Sequence, residues 1–171
     1  MDMIIGRGSQ RDPAALNLYT TANRTRIENE RPDQEICVEG LQAGHRHVLT
    51  VSPTARCRSL TSMYNCVGMV FASRRTSVAT EHLEVILSDD GYRPVSQEKA
   101  MEGDVVVYRR NNVPQHVGII YQLEKSLHSG QVINTWVLST WGHLGEYIHR
   151  IAEVPNAYGD AREFWSERRP A

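Results

Sequence analysis

Two apolar runs joined by a short polar link, DVVVY at 104–108 and HVGIIYQL at 116–123, constrain the fold more than any other feature. Both are rich in β-branched residues, and Asn111, Asn112 and Pro114 between them are turn formers, so the pair reads as a β-hairpin. Gly103 marks the entry to the first strand, which reads as buried, and the second strand is expected to begin at His116. VINTWVL at 132–138 continues as a third strand after a loop with His128, Ser129 and Gly130, and GEYIHRI could supply a fourth.

Ahead of this strand run the pattern is helical. Val67, Val70 and Phe71 fall at i, i+3 and i+4, one face of a helix. Asn65 is a good N-cap for it and puts Cys66 in its first turn. A second helix is expected over 80–87, followed by the turn SDDGY. Further out the spacing predicts a short strand at 47–52 from the alternation of HVLTVS, and a possible helix opening at Asp12-Pro13 and running through Leu16 and Tyr19. Residues 6–34 are polar and read as a surface arm. Ala161, Phe164, Trp165 and Arg168 suggest a terminal amphipathic helix. Helices first and hairpin-linked strands afterwards is an α+β order, with helices on one face of an antiparallel sheet.

A chain of 171 residues fits one domain and can bury roughly 70% of the surface its unfolded form exposes, so it needs no cofactor to hold a core. Its 19 basic and 20 acidic residues nearly balance. The basic pairs Arg74-Arg75, Arg109-Arg110 and Arg168-Arg169 form no stripe and carry no interleaved aromatics, so a nucleic-acid partner is not indicated. No stretch approaches the roughly 20 apolar residues of a membrane span. The start, MDMIIGRGSQRD, lacks the pattern of a secretory signal, and three cysteines leave at least one thiol free, which points to the cytosol. Export by a route without an amino-terminal signal would leave the same pattern.

The chemistry-bearing residues fall in a fixed order. Cys66 at a helix start, where unpaired backbone amides favour a thiolate, is a candidate nucleophile. His116 is its candidate base and acid, and Ser139 in STWG the position that would orient the imidazole. An oxyanion would be held by the Cys66 N–H and one upstream donor among Ser62, Tyr64 and Asn65. Read singly, Cys66 is as well explained as a small buried hydrophobe, and Trp136, Trp141 and Trp165 as core. Tyr147 and Tyr158 read as packing or rim residues. A zinc site from Cys37, His45, His47 and Cys57 is the competing constellation, but it lacks the short Cys-x2-4-Cys knuckle, so no metal is expected.

These residues together resemble the papain-like thiol hydrolases, in particular the compact NlpC-type cell-wall peptidases and their intracellular relatives. The likeness rests on Asn65-Cys66 at a helix start, GDVVVYR, HVGII and a polar residue before Trp141-Gly142, and it covers about half of the chain. Papain itself has about 130 residues or more between cysteine and histidine, so the shorter interval here fits the compact branch. STWG followed by GEY is similar to papain's Asn-Ser-Trp-Gly and Gly-Glu, which implies Ser139 in the orienting position and Trp141 as the shield of that contact. A serine reaches less far than an asparagine, and Glu146, His143 and His149 are the nearby substitutes.

The resemblance implies one papain-like domain over 1–171, its nucleophile helix packed on an antiparallel sheet, with 1–63 an extension that could cap the cleft. It implies hydrolysis of an amide or isopeptide bond through a Cys66 acyl-enzyme, on a peptidoglycan fragment or another peptide or protein conjugate, without a cofactor. Two alternatives keep the fold: a peptide-binding module with no chemistry, and an acyltransferase using the same thiol.

Overall fold

In the computed structural model, which describes residues 15–168, the chain is an α+β protein built on one large antiparallel sheet. Its elements are β1 (Leu18–Tyr19), β2 (Arg26–Ile27), β3 (Asn29–Glu30), α1 (Val38–Val51), β4 (Arg56–Ser59), α2 (Cys66–Phe71), β5 (Ser77–Val78) and α3 (Leu83–Asp89). There follow β6 (Arg93–Val95), β7 (Val105–Arg110), β8 (Val113–Lys125), β9 (Val132–Thr140), β10 (Glu146–Arg150) and β11 (Ala161–Ser166). Seven strands form the sheet in the order β4-β10-β9-β8-β7-β11-β6, while β1-β2 and β3-β5 make two small ladders. Among the described residues no helix is long and apolar enough to cross a membrane.

The central hairpin forms as its turn residues dictate. Asn111 and Asn112 both take positive φ, 52° and 63°, the two-residue turn whose twist matches paired strands. β8 starts earlier than expected. Val113 and Pro114 already pair with Arg110 and Arg109, and the register shifts beside Tyr108 so that Tyr108 faces His116. His116 is therefore the fourth residue of the strand and not its first. Proline is tolerated at such an irregular point of a ladder.

Strand alternation divides the core between the two faces of the sheet. Val105, Val107 and Val117 face α2 and α3 together with Cys66, Val67, Leu83 and Leu87. Val106, Tyr108, Ile120 and Val137 face the other way, where Tyr158 packs against them. α1 lies on that second side too, its Val48 packed with Trp141 and Tyr147. Both faces of the sheet are thus covered, which corrects the one-sided arrangement expected from the sequence.

Three local expectations are also corrected. Residues 47–51 belong to α1, because Leu41, Gly44 and Val48 make one buried helical row that prevails over the alternation of HVLTVS. Residues 161–166 form β11, which pairs with β7 on one side and β6 on the other, so two strand partners override the helical spacing of Phe164, Trp165 and Arg168. Leu18 and Tyr19 form β1, while Asp12, Pro13 and Arg169 lie outside the described residues. The polar arm is anchored from residue 20 onward. Thr20, Asn23 and Thr25 all donate side-chain hydrogen bonds to the Asp89 carboxylate at the end of α3.

Candidate active site

Asn65 builds the start of α2. Its side-chain oxygen accepts the Gly68 N–H at 3.0 Å, satisfying one of the helix's orphan donors. The same oxygen accepts the Val78 N–H at 3.1 Å and its amide donates to the Val78 carbonyl at 2.7 Å, tying β5 to the helix. Gly68 permits this closeness, since a Cβ there would lie 1.7 Å from the Thr76 carbonyl oxygen. Cys66, the first residue of α2, is only 5% exposed. Burial pushes its thiol pKa up to about 11, partly opposed by the backbone N–H groups of Val117, Val67 and Cys66 itself.

His116 sits next to Val117 and is buried on the opposite face of the β7–β8 ladder. Its ring lies flat on Tyr158, centroids 4.0 Å apart and planes 5° from parallel, with Tyr108 tilted alongside at 5.5 Å. Among the described residues neither ring nitrogen of His116 has a hydrogen-bond partner. Burial, and then the neighbouring His149, hold its pKa well below the ordinary value, so the ring is neutral at pH 7. No hydrogen bond joins it to Cys66. The thiol reaches the backbone of Val117, one residue along, and not an imidazole nitrogen. Here the sheet is one-sided: His116, Val117 and Gly118 pair with β7, whereas pairing with β9 begins at Ile119 opposite Leu138.

Ser139 lies on the same face as His116 but is engaged elsewhere. Its Oγ is 2.8 Å from His149 Nε2, and His149 Nδ1 is 2.9 Å from the Arg150 carbonyl. A carbonyl only accepts, so Nδ1 carries the proton and Nε2 accepts from the Ser139 hydroxyl. Burial pushes the His149 pKa down to about 4. Trp141 stands edge-on to His149 at 5.3 Å and to Tyr158 at 6.3 Å, its indole N–H buried without a partner. The groups placed against His116 are therefore the Tyr108 and Tyr158 rings, with His149 as its titratable neighbour.

The upstream oxyanion candidates have other partners. The Tyr64 hydroxyl donates to buried Glu146 at 2.7 Å, and Arg74 pairs with the same carboxylate. Asn65 spends both ends of its amide on Gly68 and Val78. Ser62 bonds to Glu35 through its N–H and hydroxyl, and its carbonyl lies 2.9 Å from His143 Nδ1. Two participants escaped the sequence reading in this role. The Val117 N–H is a backbone group and leaves no sequence mark, and Tyr158 is reachable only through the turn Asn156–Tyr158 folding back over β8.

Among the described residues no group of three or more His, Cys, Asp or Glu side chains is placed to hold a metal ion. His45 instead stacks on Tyr147, ring centroids 5.8 Å apart. No protein-family model, curated protein or solved structure matches this chain.

Proposed function

We propose that the protein is a thiol hydrolase of peptide or isopeptide bonds, a reading that agrees with the resemblance to the compact papain-like enzymes. One observation carries it. A buried, neutral histidine with both ring nitrogens unpartnered lies one residue from the backbone N–H that meets a buried cysteine thiol at a helix start. Buried polar groups without partners are rare, and a base kept free to take a proton is one physical reason to keep one.

In this reading the Cys66 sulfur bonds to the substrate carbonyl carbon while the thiol proton passes to His116, a step that requires the ring to leave its stack on Tyr158 and come round β8 where β9 does not pair with it. The carbonyl π pair moves onto oxygen, and the backbone N–H groups of Val117, Val67 and Cys66, which act on the thiol, are the candidate donors for it. Collapse of the tetrahedral species breaks the C–N bond, and His116 returns its proton to the leaving amine. Water then cleaves the thioester with His116 again as base. His149, held by Ser139 and the Arg150 carbonyl, acts on His116 as a fixed neighbour, and Trp141 closes that side from solvent. The resting pair is thiol and neutral imidazole. Desolvation disfavours both charged forms, so the thiolate arises only as substrate and general base come together.

A peptide-binding module without chemistry is the second reading. It is favoured by the missing Cys66–His116 hydrogen bond and by a thiol raised to about 11. Incubation with peptidoglycan fragments and isopeptide-linked proteins, followed by mass spectrometry, separates the two. The hydrolase reading expects products from the wild type, an acyl adduct on Cys66, and a loss of at least about 10³-fold in Cys66→Ala. Binding without products or adduct, or full activity in Cys66→Ala, would leave the module.

A further inference from the structure

The outer side of the β3–β5 ladder carries a cleft of about 330 Å³ beside Asn65, the residue before the thiol. Ile27 and Val78 point into the core, so alternation turns Glu28, Glu30 and Ser77 the other way, and Glu30 stands directly across from Ser77. Glu81 and His82, from the turn Thr80–His82, form the opposite wall. Among the described residues none of the three carboxylates is in a salt bridge. Ser77 is 5% exposed, and its hydroxyl is buried without a hydrogen-bond partner.

We propose that this cleft is a subsite for a cationic group of the substrate, an alkylammonium or a guanidinium. The chain is close to neutral overall, with a net charge of −1, so three carboxylates in one concave site with no salt bridge among the described residues are a local feature. A cation seated there would meet carboxylates from the link before β3, from β3 itself and from the facing turn, and an N–H donor could be accepted by the orphaned Ser77 oxygen. The chemistry selects against a carboxylate or phosphate ligand. The Asn65 bonds to Val78 fix the distance between this ladder and Cys66. The inference rests on the hydrolase reading only for the word substrate, because the cleft's charge and Ser77 do not depend on the thiol.

Binding is read directly, by backbone amide shifts over 28–30 and 77–79 in the full chain titrated with Nα-acetyl-lysine amide, Nα-acetyl-arginine amide and neutral Nα-acetyl-glutamine amide. The cationic probes are expected to bind at least about fivefold more tightly than the neutral one, and less tightly as salt rises. Glu28→Gln combined with Glu30→Gln removes that preference. Ser77→Ala weakens binding without lowering the thermal midpoint, since it deletes a hydroxyl that has no partner. Equal binding of charged and neutral probes, or binding by none, overturns the subsite. Cation binding by a wild-type protein that hydrolyses nothing supports the subsite and removes the hydrolase reading alone.

Discussion

At the residue scale Asn65 does more than its place in the sequence announces. The N-cap role follows from residue type and from the helical spacing behind it. The bonds to Val78 do not, because their partner is a strand whose position is set by packing on Gly68 and Thr76. Asn65→Ala removes one helix cap and two strand ties from a buried junction, and is expected to cost about 2–3 kcal/mol in urea unfolding. Asn65→Ser keeps an acceptor for the Gly68 N–H and gives up the two bonds to Val78, so its loss should be smaller. Equal losses would mean that the acceptor oxygen contributes nothing. The site shows the same split between type and context. Cysteine, histidine and serine were legible as candidates, whereas the bond from Ser139 to His149 depends on a strand register that the sequence does not print.

At the element scale the central strands were legible because β7 and β8 meet through a turn of two asparagines, which needs no tertiary help to be recognised. α1 and β11 were misread for opposite reasons. HVLTVS alternates, yet it lies on a longer helical row, and the helical spacing of Phe164 and Trp165 yields to the unfilled edges of β6 and β7. The turn Asn156–Tyr158 matters most for the site. Its described backbone hydrogen bonds are internal, from Tyr158 to Pro155 and from Gly159 to Asn156, so it covers His116 mainly by the stacked ring. Tyr158→Ala is expected to raise the rate at which diethyl pyrocarbonate modifies His116 several-fold, and Tyr158→Phe to leave it slow. An unchanged rate in the alanine variant, with native circular dichroism, would show that another element seals the ring.

Across the whole molecule, the buried titratable groups at the centre define the pH range in which the fold is stable. The folded-state pKa of His149 is lowered from 6.5 to about 4, and that of His116 is lowered in the same direction. The stability both groups contribute is complete above about pH 6.5 and is lost as pH falls towards the folded values, because the unfolded chain binds those protons first. For His149 the loss is on the order of 3 kcal/mol once the folded pKa is passed. Cys66 acts at the other end: its folded pKa is raised from 9.0 to about 11, so its contribution is whole below about pH 9 and disappears by about pH 11. Asp89, Asp104, Glu124 and Glu153, all lowered, add losses only below about pH 4.5. Unfolding free energy measured by urea should therefore stay flat from about pH 6.5 to 9 and fall on both sides. His149→Gln, which cannot titrate, should make the limb between pH 6.5 and 4 shallower and leave the His116 part, and Cys66→Val should do the same to the limb above pH 9, which Cys57 shares. A Cys66→Val protein that loses stability as steeply as the wild type above pH 9 would place the alkaline transition in Cys57 and the tyrosines Tyr64, Tyr108, Tyr147 and Tyr158, whose folded pKa values burial also raises.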